Sequence, residues 1–142
     1  MRSIAFALLF LSSCGSPKAP DIAVEDGWAR ATVAGQGGAA YLTIFNRGGA
    51  DDRLIHVSVP RAGQAMLHSS TMEGGVMRMR HLADGLAIPA GSTVELAPNG
   101  THIMLGALGT PLRPGEHFPV TLRFARAGAR QATIRVEDPV NR

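Results

Sequence analysis

From Ile22 onward the apolar positions fall in short alternating or continuous runs, each closed by Gly, Pro, Asn or Asp. Alternation of period two is the mark of a half-buried strand, and no stretch carries a capped helical period. The pattern predicts strands from Ile22 to Ala31, Ala39 to Phe45, Leu54 to Val59, Gln64 to His68, Val76 to His81, Thr93 to Leu96, His102 to Leu105, Pro119 to Phe124 and Gln131 to Val136. Turns are expected at Asn46-Arg47-Gly48-Gly49, Ala83-Asp84-Gly85, Pro98-Asn99-Gly100 and Arg113-Pro114-Gly115. About nine short strands at this spacing imply an all-β chain, a Greek-key β-sandwich or small barrel.

The segment before Ile22 reads differently. Met1-Arg2 is a short positive start, Ile4 to Leu11 an apolar run too short to span a bilayer, and Ser12-Ser13-Cys14-Gly15 a break of small residues. This is the plan of a secretory leader. Leu11-Ser12-Ser13-Cys14 also resembles a bacterial lipobox, in which the leader is cut before the cysteine and lipid is attached to it. The expected organisation is a lipoprotein signal peptide over 1–13, a lipidated Cys14 with a flexible tether over 14–20, and one β-sandwich domain over 21–138. Attachment to the membrane would be through the lipid alone. Gly15 rather than Asp after Cys14 resembles outer-membrane sorting, so a periplasmic lipoprotein held at the outer membrane is expected.

Composition narrows the function. The chain has 142 residues, one domain's worth, with 45% hydrophobic and 18% charged positions. The formal net charge is +3, yet Lys18 is the only lysine, the arginines form no run, and aromatics make up 5%. Neither a phosphate footprint nor a set of stacking platforms is present, so no nucleic-acid partner is expected. The single cysteine supplies neither an internal disulfide nor a thiolate metal site. The chain has no GxSxG, P-loop or HExxH motif, and its carboxylates fall near turns, so it does not read as an enzyme.

Five of the six methionines lie in the middle of the chain, interleaved with histidines. Met66 and His68 are two apart on one predicted strand, Met77 and Met79 on the next, and His102 and Met104 on a third. Residues i and i+2 share a face of a strand. If the three strands are neighbours, each pair projects its groups into one place. Thioether and imidazole are neutral, soft-to-borderline donors, a set that suits Cu(I) better than Zn(II). Methionine also fills cores, and any one of these residues alone reads as packing. The combined spacing of His68, ten residues, Met79, twenty-two residues, then His102-x-Met104 is the stronger signal.

The string His68-Ser-Ser-Thr-Met72-Glu-Gly-Gly-Val-Met77-Arg-Met79, then Leu86 to Gly91, Pro98-Asn-Gly-Thr-His102-Ile-Met104-Leu105 and Pro111-Leu112, closely resembles the periplasmic copper chaperone family PCu(A)C. Gly27-Trp28-Ala29-Arg30, Ala40 to Asn46 and Asp52-Arg53-Leu54 resemble its first strands. The resemblance implies a cupredoxin-like fold and Cu(I) held by His68, Met79, His102 and Met104. It also implies delivery towards the dinuclear copper centre of cytochrome c oxidase, to an oxidase subunit or a thioredoxin-like copper protein, by a monomer. Asn99 stands where the family has Gly, a change a turn tolerates because Asn accepts positive φ. No His- or Met-rich stretch follows the last strand.

Met66, Met72 and Met77 are candidate auxiliary thioethers, with core or rim packing as the plainer role. His81 reads as an exposed strand-end residue, His56 and His117 as structural or surface groups, and Trp28 as core or tyrosine-corner-like packing with Tyr41. A second function class stays open: an envelope lipoprotein of the same fold that binds a protein or envelope ligand without metal. A blue-copper electron carrier is excluded, because its site requires a thiolate.

Overall fold

The computed structural model describes residues 18–141. The leader and Cys14, with its lipidation, lie outside the described residues. Ten strands follow: β1 (Ile22–Arg30), β2 (Gly38–Asn46), β3 (Asp52–Ser58), β4 (Ala62–Glu73), β5 (Val76–His81), β6 (Leu86–Ile88), β7 (Thr93–Leu96), β8 (Thr101–Leu108), β9 (His117–Phe124) and β10 (Gly128–Glu137). A single 3-10 turn, Pro139–Asn141, closes the described chain. All nine predicted strands are present. The tenth, β6, is three residues between turns, too short to show a period.

The strands form one mixed sheet in the order β5-β4-β8-β2-β1-β10-β9-β3-β6, with β7 beside β2. Only β1 and β10 run parallel. The sheet folds over on itself, so that Leu42, Ile44, Ile103 and Leu105 from one half meet Leu54, Val120, Leu122 and Ile134 from the other in a single apolar core. This is the all-β cupredoxin-like sandwich expected.

Two bulges set which side chains face that core. Between Glu25 and Trp28, β1 uses three steps where β2 uses two, from Thr43 to Tyr41. Asp26 takes a positive φ of 54° at the extra residue. Side-chain parity therefore reverses: Ile22 and Val24 point into the core before the bulge, Ala29 and Ala31 after it. Trp28 is turned to the outer face, where it stacks at 4.5 Å on Tyr41, its partner on β2. The pairing with Tyr41 is as expected, but Trp28 lies outside the main core. A second bulge lies in β3, between Leu54 and His56. It keeps Leu54 and Val57 in the core and turns His56 away from it.

Beyond His68, β4 continues to Glu73 and pairs with β5 as a hairpin. The sequence pattern assigns no element between His68 and Val76, because both faces of the hairpin end are exposed and no burial alternation marks it. Its turn is Gly74-Gly75, with φ of 59° and 79°. Positive φ at both central residues is what a two-residue type I′ turn requires, and glycine meets it without strain. Arg78 and Arg80 both reach Glu73 across this hairpin.

Elsewhere buried Asp52 acts as a backbone clamp. Its Oδ1 accepts from the N–H groups of Arg53 and Arg126 at 2.8 and 2.9 Å, and its Oδ2 from Ala127 at 2.8 Å. The carboxylate thus ties the start of β3 to the turn between β9 and β10.

Candidate metal centre

The three strands carrying the His/Met pairs are neighbours, in the order β5-β4-β8. Register places Met66 opposite Met104 and His68 opposite His102 between β4 and β8. Between β4 and β5 it places Ser70 opposite Met79 and His68 opposite His81. Directly paired residues share a face, and here Leu67 and Ile103 point the other way, into the core. All these donors therefore lie on the outer face of the sandwich. None of the five methionines among the described residues belongs to the core cluster, so core packing does not account for them.

His102 is oriented by its own turn. Its Nδ1 lies 3.0 Å from the carbonyl oxygen of Gly100. A carbonyl only accepts, so the neutral ring carries its proton on Nδ1 and keeps the Nε2 lone pair for a metal. The same oxygen accepts the backbone N–H of Ser70 at 3.1 Å, which fastens this turn to β4. Asn99 adopts a φ of 65° there, the conformation that lets Asn stand in for Gly.

His68 is the anomaly. Both ring nitrogens are buried without a hydrogen-bond partner. Buried polar atoms are ordinarily paired, so an imidazole left this way points to a ligand. Its ring centroid is 6.0 Å from that of His102 and 5.6 Å from that of His81. Burial, reinforced by His102 and His81, pushes its pKa below the ordinary imidazole value. The ring is held neutral, the form that coordinates metal.

Met77, Met79, His102 and Met104 line one open pocket of about 210 Å³, with Tyr41, Ser70 and the Pro98-Asn99 turn completing the wall. His68 stands beside this pocket on β4 rather than in its lining. No carboxylate borders the pocket; the one charged neighbour is Arg30. Among the described residues no three His, Cys, Asp or Glu side chains converge on a point that could hold a metal ion. A cation bound here would need thioethers to complete its shell, and two imidazoles with two thioethers make a neutral, soft set. Met79 is 49% exposed and Met77 46%, so the donors on β5 are open to an approaching partner. Met72, opposite Met77 at the hairpin end, is exposed at the rim, and Met66 is half-buried.

The sequence reading missed two features of this face. Tyr41 lies 6.4 Å from His102, ring to ring, and forms a wall of the site with Trp28 behind it. Burial pushes the Tyr41 phenol up, against the opposing charge of Arg30, so it stays protonated. His81 was read as an ordinary strand-end histidine; it is exposed, but it extends the row of His102 and His68 by one strand. His117 is exposed at the start of β9, away from this face.

Solved structures of similar shape include the copper-bound PCuAC domain from PmoF2 (TM-score 0.68, 27% identity, covering 83% of this chain and 93% of that one). Another is CuI-DR1885 from Deinococcus radiodurans (TM-score 0.62, 26% identity, 92% and 85% covered). The Leifsonia xyli subsp. xyli protein Lxx21020, whose name describes it as a lipoprotein, is 31% identical over 146 residues, covering 96% of this chain and 87% of its own. The LpqE-like family, itself named for a lipoprotein, matches residues 22–136, nearly the whole described sandwich, and the chain belongs to that family.

Proposed function

We propose that this protein is a periplasmic copper chaperone that binds Cu(I) through His68, Met79, His102 and Met104 and releases it by ligand exchange. The observation that carries this reading is the buried, unpartnered His68 imidazole facing His102, with Met79 and Met104 on the same face. The likeness to a copper-bound PCuAC domain and to CuI-DR1885 supports it. The acceptor is a thiolate-bearing copper protein, either a thioredoxin-like carrier or the subunit that holds the dinuclear copper centre of cytochrome c oxidase. The chaperone acts as a monomer, tethered by lipid at Cys14 to the outer membrane.

Copper is the cargo, and the chain's residues receive and surrender it. Neutral donors leave the ion's positive charge uncompensated, so an anionic thiolate competes well. Met79, exposed on the edge hairpin, is displaced first. Each exchange forms one metal–donor bond as another breaks, and copper remains Cu(I) throughout. His102, fixed through Gly100, is held longest.

The test is an anaerobic Cu(I) competition titration against a chromophoric chelator. It uses the full chain carrying Cys14→Ser, in mild detergent, so that no thiol competes. Tight binding that His102→Ala with Met104→Ala lowers by one equivalent, while circular dichroism shows the fold intact, supports the chaperone. Equal binding by the parent chain and this variant sinks it, and binding by neither leaves a non-metal envelope protein of the same fold.

A further inference from the structure

The β5 pairing on β4 stops at His68, with one further backbone bond from the Leu82 N–H to the Leu67 carbonyl at 2.9 Å, so the edge of β4 from Ala62 to Met66 is left uncovered. Across from it, β3 pairs with β6 only from Asp52 to Leu54, which leaves the following residues of β3 without a strand on that side. These two uncovered edges face each other across the seam of the sandwich and enclose a pocket of about 300 Å³. Three donor side chains line it: His56 from β3, Met66 from β4 and His81 from β5. The other residues bordering it include Ile55, Ala65, Leu82 and Ala83, and no carboxylate is among them.

We propose that this seam is a second Cu(I) site, with His56, Met66 and His81 as its three ligands. The bulge in β3 is what makes it available. Without the extra residue His56 would fall in step with Leu54 and point into the core; with it, His56 turns outward while Val57 resumes the core face. Two imidazoles and one thioether form a neutral three-donor set. Cu(I) is satisfied by soft donors of this kind, whereas Zn(II) asks for four ligands and favours thiolate, carboxylate or further imidazole.

The seam site adjoins the first along β4. Met66 sits opposite Met104, and His81 sits opposite His68, which sits opposite His102. The outer face therefore carries two short rows of donors, one of thioethers and one of imidazoles, running from the pocket on β8 to the seam. Copper can pass between the two sites by exchanging one neutral donor for the next, with no change of oxidation state. This relay rests on the chaperone reading above, while the second site itself does not.

The same anaerobic titration of the full Cys14→Ser chain tests the proposal, run to saturation and read as copper bound per chain. His56→Ala with His81→Ala is the test variant. Both residues are exposed, so the fold is expected to survive, and circular dichroism checks it. The expected result is two equivalents for the parent chain and one for the test variant, with His102→Ala plus Met104→Ala retaining the equivalent that the seam holds. Equal stoichiometry for the parent and the test variant overturns the proposal. Should the parent bind copper that only His56→Ala with His81→Ala removes, the seam site stands and the first site fails, so the two readings are separable.

Discussion

His68 and His102 face each other across β4 and β8 with ring centroids 6.0 Å apart, and their nitrogens are treated in opposite ways. Nδ1 of His102 is tied to Gly100, while neither nitrogen of His68 has any partner. One ring is oriented in advance, and the other is buried at a cost that only a ligand offsets.

That cost is measurable. His68→Leu removes two buried, unpartnered nitrogens and keeps the volume, so the copper-free protein should gain on the order of 1 kcal/mol in a denaturant titration. Cu(I) affinity should fall at least about tenfold. A variant less stable than the parent would mean that His68 is already satisfied in the copper-free state.

The pKa of His68 gives a pH dependence with a definite sign. In the folded copper-free protein the ring resists protonation below the ordinary value of 6.5, while in the unfolded chain it does not. The unfolded state then binds more protons as pH falls through 6.5, and the folded state loses stability there; above that value the penalty is absent. Denaturation of the copper-free chain at about pH 7.5 and about pH 5 should show a larger drop for the parent than for His68→Leu. Equal drops would remove His68 as the source.

The methionines can be separated by role. Met79→Leu keeps size and hydrophobicity and deletes only the thioether, so it should leave stability within about 0.5 kcal/mol, as expected of an exposed site, and weaken Cu(I) binding at least about tenfold. Met72→Leu, at the outer rim of the hairpin, should change neither. If Met79→Leu bound copper as the parent does, ligation by the Met79 thioether would be ruled out.

Asp52 provides the reverse case. Asp52→Ala strips the acceptor from three backbone N–H groups and should destabilise the fold by about 2–3 kcal/mol. The clamp joins the start of β3 to the turn between β9 and β10, away from the β4, β5 and β8 ligands of the first site, so Cu(I) affinity at His68, Met79, His102 and Met104 measured well below the melting temperature should be unchanged. A parallel loss of affinity would show that the outer face depends on this turn.

The sequence by itself determined the strand class and most strand positions, because a half-buried strand writes its alternation into neighbouring residues. The His/Met pairs were legible for the same reason: i and i+2 share a face whatever the fold. Two elements were not legible. The short β6 and the exposed end of the β4–β5 hairpin bury too little to leave a pattern.

The tertiary structure decided which strands are neighbours, and hence that His68 meets His102 rather than some other residue. It also decided parity. The bulges at Asp26 and beside His56 arise from a mismatch in count between paired strands, a relation between segments far apart in sequence that no local period records. Through them Trp28 leaves the core to back Tyr41, and His56 turns out to the seam. His81 gained its place for a similar reason: only the register of β5 on β4 puts it opposite His68.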